Sequence, residues 1–237
     1  MRRLLLIACL ALAASPAAAA SVGQGKTLYG KYCLKCHGAN GLAQVPKRVA
    51  PSLRNVGALA ADFYLTTGYM PLQHVGLQPR RSRLILSHAQ IQALIAYVAS
   101  LGHGPAIPKP DPGKGNVSKG MVLFADNCAG CHQIAAEGGY VTGAVPPPLQ
   151  ADTATQIAEA VRIGPYVMPR FTTKAISNTQ LNSLIAYVQY TQHPENRGGW
   201  SIGRIGPVPE GLVTWFIAVA ALVAVCMLLG KRVSREG

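Results

Sequence analysis

The sequence has no cysteine to spare for a disulfide. Its six cysteines are Cys9 near the N-terminus, Cys226 inside an apolar run, and four in two short motifs. An exported chain of this size could carry disulfides, but none is left over to make them. Acids are scarce as well: nine Asp and Glu stand against 22 Lys and Arg. Residues 21–104 hold Asp62 as their one acid against nine basic residues, whereas residues 105–211 hold seven acids against eight. A basic first half steers an acidic partner. No run alternates polar and apolar residues long enough to argue for a sheet, which leaves a helical architecture.

Charge is absent altogether from Leu212–Leu229, 18 residues reading LVTWFIAVAALVAVCMLL. At 1.5 Å per residue they reach about 27 Å, close to the hydrocarbon thickness of a bilayer. Thr214 and Cys226 are the least apolar of them, so there is no polar face for a soluble helix to show to water. Lys231, Arg232 and Arg235 follow, which places residues 230–237 in the cytoplasm and residues 21–211 outside. At the other end, Met1–Ala20 carries Arg2 and Arg3, then an apolar run from Leu4 to Ala14, then Pro16 and small residues. That is the layout of a secretory signal peptide cut after Ala20. An uncleaved anchor is the alternative, although Leu4–Ala20 is only 17 residues and Pro16 interrupts it. The expectation is a chain exported and held in the cell membrane by a single C-terminal span.

CLKCH at Cys33–His37 and CAGCH at Cys128–His132 each set two cysteines and a histidine within five residues. Two thiols one helical turn apart, followed at once by an imidazole, suit covalent addition to the two vinyl groups of a porphyrin. The histidine then turns onto the iron. Zinc is the nearest rival, since Cys-x-x-Cys pairs also open zinc sites. Zinc wants a second ligand pair farther along, and neither half of the chain has another cysteine pair. A thioredoxin-like redox pair is the other rival. On the haem reading, Cys33, Cys36, Cys128 and Cys131 attach two haem c groups, and His37 and His132 are proximal ligands.

The motifs belong to a repeat. GKTLYGKYCLKCH, APSL, TTGYMPL and LSHAQIQALIAYV are followed in the same order by GMVLFADNCAGCH, PPPL, RIGPYVMPRF and ISNTQLNSLIAYV. The motif cysteines are offset by 95 residues and the loop methionines by 98, so one unit is used twice. Domains are expected over 21–101 and 117–193, joined by a Pro- and Gly-dense linker over 102–116. A segment over 194–211, too irregular for a helix, precedes the span at 212–229. Ser87 and Gln90 have capping-box spacing ahead of Ile91, Leu94, Ile95 and Val98, which form one apolar stripe. Ser177 and Gln180 repeat the device ahead of Leu181, Leu184, Ile185 and Val188. Asp152 or Thr153 opens another helix, through Ile157 and Val161 to a stop at Gly164-Pro165. The fold class is all-α, with apolar faces too few for a normal core of about 80 residues unless a buried porphyrin completes it.

The sixth ligand of each iron decides the function. Met70 in GYMPL and Met168 in YVMPRF lie 37 and 40 residues after the first cysteines, in a chain with five methionines. Each precedes a proline, which stiffens the loop. Met70 and Met168 are therefore the expected axial ligands, and methionine raises the potential. His74 is the rival to Met70; His88, His193 and Met121 are weaker ones. With His and Met on both irons no position is open to peroxide or another substrate, so electron relay is favoured and no catalytic residue is assigned. Pro51 and Pro147 suit a loop passing the proximal face, where their carbonyls would accept hydrogen bonds from His37 and His132. Ordinary loop prolines are the equal alternative.

Each unit resembles a class I cytochrome c domain, which implies two tandem domains of that fold plus one C-terminal transmembrane helix. The tail HPENRGGWSIGRIGPVPEG is similar to that of the di-haem cytochrome c subunit of the actinobacterial menaquinol:cytochrome c reductase, the cytochrome bcc complex. TGYMPL, GPYVMPRF and NRGGW are the most specific pieces, and the resemblance covers nearly the whole chain from Gly23. It implies a subunit of a proton-motive quinol:cytochrome c oxidoreductase, a translocase whose quinol chemistry belongs to partners. Electrons would leave menaquinol on a cytochrome b subunit, cross a Rieske iron–sulfur subunit, and pass through two haems here to a cytochrome c oxidase in a supercomplex. The alternative is a membrane-anchored di-haem cytochrome c subunit of a terminal oxidase or other dehydrogenase. Nucleic acid is not an expected partner of an exported haem chain, despite the basic balance.

Overall fold

Ser21 caps the first described helix. Its hydroxyl accepts from the Gln24 amide at 3.0 Å, and α1 runs Val22–Tyr32. The computed structural model describes residues 21–43, 50–72, 80–193 and 207–236; the signal region 1–20, His74 and the NRGGW piece lie outside them. After Cys33 come a single turn, α2 (Leu34–His37), then α3 (Gly57–Thr66) and α4 (His88–Ala99). The second half repeats the order with α5 (Val117–Asn127), the turn α6 (Ala129–His132), α7 (Ala154–Ile163) and α8 (Asn178–Gln192). The all-α expectation holds: among the described residues there is no strand, only an isolated bridge between Val141 and Ala144.

Three capping boxes close reciprocally, at Ser87–Gln90, Thr153–Gln156 and Ser177–Gln180. In each, the hydroxyl accepts from an amide in the first turn while the Gln side chain accepts from the cap's own amide. Of Asp152 and Thr153, Thr153 is the cap, and α7 stops at the left-handed Gly164. No such signal announces α3. Val56 offers no capping side chain, and six of its ten residues are buried. That all-round burial follows from its place between α4 and α7.

In each half the first helix crosses the last, α1 on α4 and α5 on α8. A Cβ on Gly25 would lie 2.0 Å from the Ala93 carbonyl oxygen, and one on Gly120 1.9 Å from that of Ser183. Only glycine permits so close an approach. One turn on, Tyr29 packs against Tyr97 and Phe124 against Tyr187, with ring centroids 5.1 and 5.4 Å apart. Leu94, Ile91 and Val98 extend the first core, and Leu184, Ile185 and Val188 the second. Each such side chain contributes about 1.5–3 kcal/mol on burial.

The halves meet along α3 and α7. Gln156 Nε2 donates to Thr66 Oγ1 at 3.4 Å, and Arg81 pairs with Asp152. The rings of Tyr64 and Tyr69 lie 6.1 and 5.6 Å from that of Tyr166. The linker is tied down on both sides. Its Pro105 carbonyl accepts from the Leu59 amide at 3.1 Å, and the Asp111 and Asn116 amides donate to Asn182 Oδ1 (2.9 Å) and Ser183 Oγ (3.1 Å).

The C-terminal helix, α9 (Pro207–Glu236), forms a unit of its own. It begins at Pro207, ahead of the expected Leu212, so the last part of the segment 194–211 is helical and that expectation is corrected. Proline suits a first helical position, where its missing amide proton has no partner to lose. The apolar stretch Gly211–Arg232, 22 residues, is about 33 Å long, enough to cross a bilayer.

Candidate functional site

Each Cys-x-x-Cys-His run folds as one tight turn at the end of a helix. The amides of Cys36 and His37 donate to the Cys33 carbonyl at 3.2 and 2.9 Å, and those of Cys131 and His132 to the Cys128 carbonyl at 3.0 and 2.9 Å. That turn gathers two sulfurs and an imidazole at one place in each half. Gly38 (φ +70°) and Gln133 (φ +58°) then turn the chain away.

Both imidazoles are nearly buried, at 8% exposure each. His37 Nδ1 lies 2.9 Å from the Pro51 carbonyl oxygen, and His132 Nδ1 3.1 Å from that of Pro147. A carbonyl can only accept, so the proton sits on Nδ1 and the Nε2 lone pair is left for a metal. Of the two readings of these prolines, the geometry selects the acceptor one. Burial pulls the His132 pKa below the ordinary imidazole value, against the pull of the Pro147 carbonyl. A neutral ring is the form that ligates.

Burial, then the neighbouring cysteine, pushes the Cys33 thiol up to about 11 and the Cys128 thiol up to about 12. Thiols held in the neutral form are poor redox nucleophiles, which weighs against a thioredoxin-like pair. Cys33, Cys36, Cys128 and Cys131 form no disulfides, so all four sulfurs are available for covalent addition.

In the second half Cys128, Cys131, His132 and Met168 line one cleft. Most of its other walls are apolar, from Phe124, Ile157, Val161 and Leu184 among others, with Arg80, Arg81 and Asp152 the charged side chains among them. An apolar slot with paired thiols, an imidazole with a free Nε2 and a thioether is a donor set that fits a porphyrin and its iron. In the first half Met70 lines a smaller cavity with Leu65, Arg83, Leu86 and Ile91, and His37 is not part of it. Residues 44–49 and 73–79, which adjoin these two in sequence, lie outside the described residues. Of the rival ligands, His88 and His193 are exposed at helix ends and Met121 is 49% exposed; none lines either cavity.

Sequence reasoning missed that the first half helps to wall the second cleft. Phe63, Tyr69, Arg80 and Arg81 line it alongside the second half's own residues. Tyr69 next to Met70 and Tyr166 two before Met168 were visible as letters of the repeat, but their contact with one another has no sequence signal.

Family models match both halves: Cytochrome c over residues 22–102, and Cytochrome C oxidase, cbb3-type, subunit III over residues 115–188. The "Cytochrome bc1 complex cytochrome c subunit" of Corynebacterium diphtheriae is 34% identical over 231 residues, covering 90% of this chain and 82% of its own length. Its counterpart from Mycobacterium tuberculosis H37Rv is 35% identical over 228 residues, covering 92% and 81%. At greater distance, the "Cbb3-type cytochrome c oxidase subunit CcoP" of Azospirillum sp. is 29% identical over 189 residues, covering 69% and 60%.

Proposed function

The chain belongs to the cytochrome c subunits of the cytochrome bc1 complex, and from that membership we propose that it relays electrons through two haem c groups, taking them from a Rieske iron–sulfur subunit and delivering them to a terminal oxidase. Electron transfer in a quinol:cytochrome c reductase and covalent haem c come with the family and its cytochrome c domains. The count of two, the ligands and the partners are our reading. Haem c, when bound, supplies a one-electron couple at its iron.

The chain's own residues do the rest. Cys33 with Cys36, and Cys128 with Cys131, would supply the thiols for attachment. Pro51 and Pro147 hold His37 and His132 with Nε2 free to ligate, and Met70 and Met168 would supply thioether sulfurs to the two irons. Thioether ligation raises the potential, which suits a relay downstream of quinol oxidation. The cytochrome b subunit carries the quinol chemistry, and the assembly is proton-motive. Residues 21–193 lie on the extracytoplasmic side and α9 anchors them, with the basic C-terminus in the cytoplasm.

The observation that carries this reading is the pair of Nδ1–carbonyl hydrogen bonds, repeated at both motifs. The test is purification from native membranes in mild detergent. A haem-stained band at the chain's mass, two haems per chain by alkaline pyridine spectra, and co-purifying cytochrome b and Rieske subunits are expected. One haem per chain, or none, would end the two-centre reading. Co-purification with an oxidase alone would select the alternative of an oxidase subunit, which the cbb3-type match over residues 115–188 keeps in view.

A further inference from the structure

Arg81 belongs to the first half by sequence, yet its guanidinium works in the second. One Nη pairs with Asp152 Oδ1, just ahead of the Thr153 cap of α7. The Tyr69 phenol lies beside it. The Asp152 side chain is 6% exposed and that of Arg81 30%. The Arg81 Nε–H is buried and has no hydrogen-bond partner among the described residues. A buried donor attached to a cation is costly to leave without an acceptor. Arg80 and Arg81 both line the cleft that holds Cys128, Cys131, His132 and Met168, and Asp152 takes up only one of these two charges. Arg80 is exposed, and among the described residues no second carboxylate pairs with either arginine.

We propose that Arg81, with Arg80 beside it, is an anion subsite lent by the first half to the second cleft, and that it binds a carboxylate of the haem seated there. This rests on the reading that the second cleft holds haem c, whose porphyrin carries two propionate carboxylates. Arginine suits the role because its fork reaches two acceptors at once and keeps its charge when buried. Its Nη is engaged by Asp152, and its Nε–H supplies the second bond. The cation beside the second iron favours the reduced state, since added electron density lowers the positive charge of the site. The potential of the second centre is therefore set in part from the first half of the chain.

The experiment uses the full-length chain in detergent with Arg81→Gln, Arg81→Lys and Asp152→Asn, reading haem content and both midpoint potentials by optical redox titration. With two haems per chain retained, Arg81→Gln shifts one potential downward and leaves the other in place. Arg81→Lys keeps the charge without the fork, so it shifts the same potential down by less; it carries the test if the Gln variant fails to accumulate. Asp152→Asn, which breaks the ion pair but frees the cation, does not lower that potential. Unmoved potentials in both Arg81 variants overturn the proposal. So does an equal fall in Asp152→Asn, which would make the ion pair a structural tie alone. A parent chain lacking a second haem would instead defeat the two-centre reading on which this rests.

Discussion

Glu159 is completely buried on α7, and burial together with the Asp62 carboxyl pushes its pKa up to about 9. No other hydrogen-bond partner among the described residues reaches its oxygens. The folded chain therefore keeps a proton on this carboxyl that the unfolded chain, with an ordinary value of about 4.3, releases. Stability from this group is complete below the ordinary value, drains away as pH rises toward about 9, and changes little beyond. Glu159→Gln, which mimics the neutral acid, should flatten that slope, so thermal unfolding at pH 6 and pH 8.5 checks it. An unchanged slope in the variant would put the pH dependence elsewhere. Met70 and Met168 make a second residue-level prediction. Replacing either by alanine should remove about half of the near-infrared methionine-to-iron absorbance of the ferric protein, and replacing both should abolish it. Candidates such as these stand out in the sequence because the repeat states each twice at nearly equal spacing. Glu159 and Arg81 were not, because their partners Asp62 and Asp152 lie in the other half and no periodicity links them.

At the scale of elements, two opposed effects of the same substitution decide the helix crossings. Glycine to alanine inside a helix ordinarily gains about 0.5–1 kcal/mol through helix propensity. A Cβ added at Gly30, on α1, would meet nothing within 4 Å, so Gly30→Ala should raise the midpoint of thermal unfolding. At Gly120 the added carbon would meet the Ser183 carbonyl at 1.9 Å, so overpacking wins and the cost is about 1–3 kcal/mol. Calorimetry on the two variants should show shifts of opposite sign; a stabilised Gly120→Ala would mean that α5 and α8 sit farther apart. The glycines themselves were readable, since Gly25 and Gly120 share the 95-residue offset of the cysteines. Their role was not, because close backbone approach leaves no mark beyond the glycine. The helices α4, α7 and α8 were legible from caps and stripes, whereas α3 was not: wedged between α4 and α7, it needs neither a polar face nor a cap.

The whole molecule is electrically lopsided. Residues 21–104 carry nine basic residues against Asp62, while residues 105–211 are nearly balanced. The imbalance was plain in the sequence, but its placement was not. Lys26, Lys31 and Lys35 are all exposed on α1 and α2, the helices that run into and through the Cys33–His37 turn. Three of the nine basic residues thus flank or lie within the first Cys-x-x-Cys-His turn. A field of that sign speeds the encounter with an acidic redox partner more than it deepens the bound state. The Debye length is about 10 Å at 0.1 M salt, so raising ionic strength should slow the bimolecular step steeply while leaving transfer within the chain untouched. Lys31→Glu with Lys35→Glu should reproduce the high-salt rate at low salt, and Lys174→Glu, in the other half, should not. Stopped-flow reduction by an acidic donor across a salt series separates these cases. A rate indifferent to both salt and the double charge reversal would mean that the partner docks elsewhere.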